Sequence, residues 1–208
     1  MGIEREIKLA LPPELADAAL GCLAELTQDE GRDVPLDNIY FDTPSLALTN
    51  AKIALRLRKT PEGWLQTLKA AGTAEGGLHS RHEWEMPVST DRLDIDALER
   101  VCDDSAARDT LRRAAPQLGE IFRTRFTRRL WRLEHEGAQI EAAIDRGEVT
   151  AEVDGETRRE PISEIELELL GGDEHALHAL AAELRTALPG LAPENINKAQ
   201  RGYRLRTR

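Results

Sequence analysis

The sequence has little cysteine, few aromatic residues and no long apolar segment. Of its 208 residues two are cysteine, Cys22 and Cys102, and 4% are aromatic. Two separated cysteines argue against a disulfide scaffold and a thiolate zinc site. So few aromatics argue against a surface that stacks nucleic acid bases. No apolar run approaches the length of a membrane span or a signal peptide, so we expect a cytoplasmic protein that does not bind membranes.

The sequence also has fewer basic than acidic residues. The 28 Lys and Arg residues are outnumbered by 38 Asp and Glu residues, which gives a net charge of −10. Proteins that bind nucleic acids through phosphates are usually basic or carry a basic stripe. The one arginine-rich run, residues 123–132, divides between both faces of a strand. We therefore predict no nucleic acid partner, whereas a small anionic substrate is compatible with this charge because a bound divalent cation inverts the local sign.

Alternating apolar and charged residues dominate the chain, which is typical of strands with two different faces. The predicted strands cover residues 3–9, 38–43, 53–59, 64–70, 81–88, 121–134, 138–149 and 162–170. Apolar stripes at helical spacing predict helical segments near residues 13–27, 91–118 and 174–188, the second as one helix or two. We expect Asp91 to cap the second segment and the glycine-rich stretch 70–80 to be a loop. The pattern indicates one α+β domain over residues 1–208.

The charged strand faces are almost entirely ionisable, and single strands carry mainly one sign. Arg56 and Arg58 share a face, as do Glu164, Glu166 and Glu168. Such like charges repel unless opposite charges gather them. A sheet with one buried and one wet face is the simplest interpretation. However, the apolar strand faces are needed to pack the helices, and closing the sheet would then place the charged faces in a polar lumen.

Such a lumen would hold carboxylates beside arginine and lysine. Carboxylates without nearby cysteine or paired histidine suit a hard cation, Mg²⁺ or Mn²⁺. Arginine and lysine suit phosphate oxygens, the first as a planar fork and the second as a point charge. The residues therefore predict a site for a short phosphate chain and its metal.

The N-terminal Glu4-x-Glu6-x-Lys8 resembles the ExExK signature of the CYTH superfamily, the triphosphate tunnel metalloenzymes. Further segments resemble its bacterial inorganic triphosphatase branch, namely NIYFDTP, ALRLRK, GGLHSRHEWE, IEAAIDRGEV, EPISEIELELLGGD and KAQRGY. The resemblance implies a closed eight-stranded antiparallel β-barrel, a tunnel with a charged lumen and flanking α-helices. It also implies metal-dependent hydrolysis of tripolyphosphate to pyrophosphate and phosphate. We expect a monomer or homodimer acting on a small-molecule triphosphate.

Matching the signature to this sequence suggests roles for individual residues. The predicted metal ligands are Glu4, Glu6, Asp145, Glu164 and Glu166. The predicted phosphate-binding residues are Lys8, Arg56, Arg58, Lys69, Arg81, Arg128, Lys198 and Arg201. Glu166 or Glu168 is expected to position the attacking water, with Lys69 also catalytic.

One position departs from the pattern of the family. Many relatives have lysine two residues before the arginine matched to Arg128, whereas this chain has Phe126. Arg125 is therefore an alternative for the inward-facing residue of that strand.

Other functions of the same fold stay open. A nucleoside or thiamine triphosphatase, or a class IV-type adenylyl cyclase, would use the same charges with a pocket for the organic group. A non-catalytic polyphosphate-binding module would need the basic residues but not the glutamates. Removing Glu4 or Glu6 is expected to reduce the rate strongly and to relieve repulsion in the empty barrel.

Overall fold

In the computed structural model, which describes residues 2–207 apart from the side chain of Ala71, eight strands form a closed barrel. They are β1 (Gly2–Ala10), β2 (Arg32–Asp42), β3 (Ala54–Thr60), β4 (Gly63–Glu75), β5 (Leu78–Val88), β6 (Gly119–His135), β7 (Ala138–Val153) and β8 (Glu156–Gly171). The order is β5-β4-β3-β2-β6-β7-β8-β1, all neighbours are antiparallel, and pairing of β1 with β5 closes the ring. The predicted eight-stranded barrel is confirmed. A two-residue strand, β9 (Ala192–Pro193), pairs with the end of β1.

Helices cover the outside of the barrel. They are α1 (Ala16–Thr27), α2 (Ala47–Asn50), α3 (Ile95–Val101), α4 (Ser105–Ala114), α5 (His175–Ala187) and α6 (Lys198–Thr207). Apolar residues of α1 and α5 form one core with outward-facing residues of β1, β6, β7 and β8. Those of α2, α3 and α4 form a second core with β3, β4 and β5. Among the described residues, no helix combines the length and apolar character needed to span a membrane.

Two tryptophans lie where these helices meet the barrel. Trp131 is buried in the first core and its indole N–H donates to the carbonyl of Asp29, 2.9 Å away. Trp84 is buried in the second core and donates to Asp103 at 3.0 Å. Each large ring therefore packs between layers while its one polar atom is satisfied.

The glycine-rich stretch is not a loop. β4 continues to Glu75, β5 begins at Leu78, and only Gly76 and Gly77 lie between them. Their φ angles are 58° and 88°, which matches the positive φ that a two-residue hairpin turn requires at both positions. The glycines thus mark a tight turn between long strands, and the prediction of a loop over 70–80 was wrong.

Asp91 does not cap the second helical segment, which consists of two helices. Asp94 precedes α3 and accepts from the N–H of Ala97 at 2.9 Å. Asp104 precedes α4 and accepts from Ala107 at 3.0 Å. Each is an aspartate at the N-cap, so the residue type was predicted correctly and the position was wrong.

One end of the barrel interior is apolar and is covered by α6. We call this buried cluster the apolar end; it comprises Leu36, Tyr40, Ile121, Phe122, Phe126, Val149, Ala151, Ile162 and Leu205. α6 approaches closely because its Gly202 has no side chain: a Cβ there would lie 2.2 Å from the ring of Phe122. Tyr203 of α6 packs edge-on against the same ring and donates to Asp42 at 3.0 Å.

Candidate active site

The rest of the interior is a charged cavity of about 440 Å³. Seven carboxylates line it, those of Glu4, Glu6, Glu83, Glu85, Glu141, Glu166 and Glu168. Seven cations line it as well, those of Lys8, Arg56, Arg58, Lys69, Arg81, Arg128 and Lys198. These residues alternate along their strands with apolar residues that face the helices, as a period of two dictates. The predicted charged lumen is therefore present.

Three buried carboxylates meet beside this cavity. Asp145 of β7 lies opposite Glu164 of β8, and Glu166 follows two residues later on the same face. One oxygen from each lies within 4.8 Å of the others. Oxygen donors in such a group suit a hard divalent cation. We call Asp145, Glu164 and Glu166 the acidic cluster.

Protonated side chains contact the acidic cluster from two directions. The ammonium of Lys198 lies 2.6 Å from Asp145 and 2.9 Å from Glu166, and it also contacts Glu164. Arg128 donates twice to Asp145, at 2.8 and 2.7 Å, and also contacts Glu166. Burial alone would raise the pKa of Asp145, but Arg128 and Lys198 outweigh that effect and lower it.

Lys8 connects this cluster to the N-terminal strand. Its ammonium contacts Glu166 and lies 3.0 Å from Glu6. Burial would lower the pKa of Lys8, yet the two glutamates raise it. Burial would likewise raise the pKa of Glu166, but Lys198, Lys8 and Arg128 hold it well below its usual range. Both groups are therefore charged at neutral pH.

Glu4 and Glu6 are paired with cations rather than left to repel each other. Glu4 accepts from Lys69 at 2.9 Å and from Arg81 at 2.8 Å, and Arg81 also donates to Glu6 at 2.9 Å. Burial would raise the pKa of Glu4, but Lys69 and Arg81 hold it well below its usual range. Each of these cations has a second carboxylate partner, since Lys69 also lies 2.8 Å from Glu83 and Arg81 contacts both glutamates. The expected relief of repulsion on removing Glu4 or Glu6 therefore stays a prediction.

Repulsion is concentrated at Glu168 instead. In register, it lies between Glu6 of β1 and Glu141 of β7, and it makes no ion pair with the residues the structure describes. Burial, together with the charges of Glu4, Glu6 and Glu141, raises the pKa of Glu168 to about 7.

Arg56 and Arg58 form the opposite wall. Arg56 donates to Glu85 at 3.2 Å and to Thr67 at 3.1 Å. Arg58 donates to the amide oxygen of Asn38 at 2.8 Å and makes no ion pair within residues 2–207. Burial and the charges of Arg56 and Arg128 lower the pKa of Arg58 to about 10. Its guanidinium thus stays charged at neutral pH with donors to spare.

Arg128, not Arg125, faces the interior. The side chain of Arg128 is 14% exposed, whereas that of Arg125 is 59% exposed and pairs with Asp37 on the outer surface at 3.1 Å. Phe126 shares the inward face, and its ring lies 4.9 Å from the ammonium of Lys198. The alternative assignment of Arg125 was wrong.

Arg201 lies behind the cavity instead of lining it. It is buried, and one terminal nitrogen lies 3.0 Å from both Glu164 and Glu194. Asp145 and Glu164 are also set back from the cavity surface, fully buried behind Lys198. Arg201 is thus placed to orient Glu164, and its predicted contact with phosphate would need this pairing to break.

Three further carboxylates line the cavity that were given no role from the sequence. Glu83 lies 2.8 Å from Lys69, Glu85 pairs with Arg56, and Glu141 lies beside Glu168. Strand alternation could have predicted them. Glu83 and Glu85 fall on the same strand face as Arg81, and Glu141 falls on the same face as Asp145.

A family comparison agrees with this geometry. Residues 2–203 match the CYTH domain. This chain belongs to the CYTH domain family. The CYTH protein is 33% identical over 202 residues to an inorganic triphosphatase of Haemophilus influenzae, an alignment that covers 97% of this chain and 54% of the relative. The chain thus spans about half the length of that relative.

Solved structures share the fold. A protein from Hippeastrum, reported as an adenylyl cyclase with a dominant triphosphatase activity, superposes with a TM-score of 0.66 at 19% identity, over 98% of this chain and 96% of its own. A protein from Bacillus halodurans, assigned as an adenylate cyclase, gives 0.59 at 21% identity over 97% and 98%. At these identities the likeness establishes the tunnel fold alone.

The residues of the acidic cluster fit the metal on which CYTH proteins depend. All three donors are carboxylates, the preferred ligands of hard divalent ions. The ammonium of Lys198 already lies among them, so the cluster accommodates a cation without rearrangement of its strands. The acidic cluster could therefore hold a metal ion.

Proposed function

We propose that this CYTH protein binds inorganic tripolyphosphate with Mg²⁺ or Mn²⁺ in the cavity and hydrolyses it to pyrophosphate and phosphate. One observation carries the proposal: Glu166 of the three-carboxylate cluster lines the same cavity as the cations of the remaining walls, and Asp145 and Glu164 lie directly behind it. A metal–triphosphate complex needs both kinds of group at once. The Haemophilus inorganic triphosphatase, matched over nearly this whole chain, supports the same activity.

Asp145, Glu164 and Glu166 would hold the metal, and Glu4 and Glu6 stay predicted as further ligands. Bound there, a divalent ion would neutralise charge on the phosphate oxygens as the phosphoanhydride breaks. The protein's own part is to fix these carboxylates, which the strand register and the surrounding cations accomplish.

Phosphate oxygens would be held by the cations that line the cavity. Arg58 is the best placed, because its charge is not engaged by any carboxylate in the part of the chain described. Arg56 and Arg128 flank it and would add planar donor forks suited to phosphate. Lys69 and Arg81, now paired with Glu4, would contribute from the N-terminal side.

Glu168 is better placed than Glu166 to orient the attacking water. The oxygens of Glu166 are occupied by Lys8, Arg128 and Lys198. Those of Glu168 face the cavity and accept from no group in residues 2–207, so they are available to a water molecule. A water-positioning carboxylate is the main protein group that such a phosphoryl transfer needs.

The walls favour an inorganic chain over a nucleotide. Among the described lining residues the aromatic ones are Tyr40 and Phe126, each 6% exposed and part of the apolar end. Neither offers an accessible ring face on which a base or thiazolium could stack.

A phosphate-release panel tests the proposal. Tripolyphosphate, ATP, thiamine triphosphate and pyrophosphate are each supplied with Mg²⁺ or Mn²⁺, and cyclic AMP is measured in parallel. Tripolyphosphate is expected to be hydrolysed at least about tenfold faster than the other substrates, a difference of ~1.4 kcal/mol. Comparable rates for ATP would contradict the inorganic substrate, and binding without phosphate release would indicate the non-catalytic module. Light scattering would test the expected monomer or homodimer.

A further inference from the structure

Lys198 occupies the centre of the acidic cluster. It is the first residue of α6 and is 8% exposed. Its ammonium contacts all three carboxylates, 2.6 Å from Asp145, 2.9 Å from Glu166, and in direct contact with Glu164. Of the described cations it alone touches every member of the cluster.

The cluster is already neutralised before any metal enters. Arg128 pairs with Asp145 and Glu166, and Lys8 also contacts Glu166. Adding two positive charges to this buried, balanced group is unfavourable unless a cation leaves or an anion arrives. A divalent ion would also need the same oxygens that the Lys198 ammonium now uses.

Lys198 is the cation best able to leave. Arg128 is fixed to Asp145 by two parallel hydrogen bonds of 2.8 and 2.7 Å. Lys8 extends from the middle of β1 and is held between Glu6 and Glu166. Lys198 has a flexible unbranched side chain and lines the cavity.

We propose that Lys198 and the divalent metal exchange on Asp145, Glu164 and Glu166, and that the released ammonium then binds the triphosphate. The exchange rests on the proposed function for its choice of anion. The exchange makes metal and polyphosphate bind cooperatively. The metal releases the ammonium that binds the polyphosphate, and the polyphosphate stabilises the ammonium in its released position. Without polyphosphate, Lys198 keeps the metal out.

Direct Mn²⁺ binding to the full chain, measured by electron paramagnetic resonance of the free ion, tests the exchange. Without polyanion, K198Q is expected to bind Mn²⁺ about tenfold more tightly than the wild type, within the usual range of such couplings. K52Q, which changes an exposed lysine, should match the wild type. Pyrophosphate should strengthen Mn²⁺ binding more in the wild type than in K198Q, after subtraction of a protein-free mixture.

Two further variants test whether the tighter Mn²⁺ binding of K198Q arises at the acidic cluster. K198R keeps a cation in place and should bind Mn²⁺ within about twofold of the wild type, a difference well below typical couplings. K198Q/D145N should lose the gain, because the ligand set is incomplete. A folded K198Q that binds Mn²⁺ no more tightly than the wild type would overturn the exchange, as would a gain that survives D145N.

The Mn²⁺-binding experiment and the phosphate-release assay can fail independently of each other. Phosphate release by the wild type with no gain in K198Q would remove the exchange and leave the activity. A gain in K198Q without phosphate release from any substrate would support the exchange of cations and remove the triphosphatase.

Discussion

The two ends of the barrel interior are built from the same strands but contain opposite chemistry. On β6, Phe122 at one end and Arg128 at the other face inward with the same parity, as do Ile162 and Glu166 on β8. The apolar end packs under α6 like an ordinary core. The charged end encloses a cavity in which most cations and carboxylates pair with one another, while Glu168 and Arg58 make no ion pair among the described residues.

This difference separates stability from activity within one barrel. Burial of apolar surface at one end stabilises the fold, so the other end can keep groups such as Glu168 and Arg58 that add no packing. We therefore expect substitutions at the apolar end to change mainly the free energy of unfolding. Substitutions at the charged end should change mainly the activity, whichever strand carries them.

Glu166→Gln should produce the largest effect. It removes the charge of a cluster member that also lines the cavity, and phosphate release from tripolyphosphate should fall at least about a hundredfold, ~3 kcal/mol of activation free energy. The isosteric amide should keep the barrel folded by circular dichroism. Glu174→Gln, on the outer surface, is the control, and near-normal turnover of Glu166→Gln would refute the role of the cluster.

Gly202→Ala tests the apolar end. A Cβ would lie 2.2 Å from the ring of Phe122, and such overpacking should lower the free energy of unfolding by about 2 kcal/mol. Gly21→Ala in α1 is the matched control, since nothing lies within 4 Å of its Cβ and alanine should stabilise the helix by ~0.5–1 kcal/mol. Equal denaturation midpoints for the two variants would contradict this packing.

Arg58→Gln compares an inward arginine with an outward one. Loss of the unpaired guanidinium should raise the KM for tripolyphosphate about tenfold, ~1.4 kcal/mol, without lowering the melting temperature. Arg125→Gln, whose side chain is 59% exposed, should change neither. Equal KM values for the two variants would remove Arg58 from phosphate binding.

Glu168→Gln tests the charge repulsion in metal-free protein. Because the pKa of Glu168 is raised to about 7 in the folded state, its protonated form stabilises the fold at low pH. That stabilisation is lost as the pH rises from about 4.5 to 7. In EDTA, the variant should be more stable than the wild type at pH 8, by up to about 2 kcal/mol after allowance for partial exposure, and equal near pH 4.5. Parallel pH profiles would contradict the assignment, and Glu25→Gln on α1 is the control.

Strand parity made much of the site predictable, because it is a local property. Alternation alone placed Arg56, Arg58, Glu164 and Glu166 on charged faces, and closure of the sheet turned those faces inward. Alternation also predicts which arginine of β6 faces the interior. Phe126 and Arg128 lie on one face of the strand, and Arg125 lies on the other.

The cations that pair with the carboxylates of the acidic cluster could not be predicted from the sequence. Lys198 reaches Asp145 across 53 residues, and no local pattern reports where the start of α6 will lie. Arg201 shows the same limit, since it pairs with Glu164 only because the segment after α5 folds back along β1. The turn at Gly76 was misread because a run of glycines suggests a loop as readily as a tight hairpin.

The most direct test of the central claim is the anomalous diffraction of Glu168→Gln crystals grown with Mn²⁺ and tripolyphosphate, since this variant should bind the phosphate chain without hydrolysing it. The account predicts an anomalous peak within ligand distance of Asp145, Glu164 and Glu166, with the phosphate chain inside the barrel and in contact with Arg58. A peak and a phosphate chain on the outer surface, with the cavity unchanged, would contradict it.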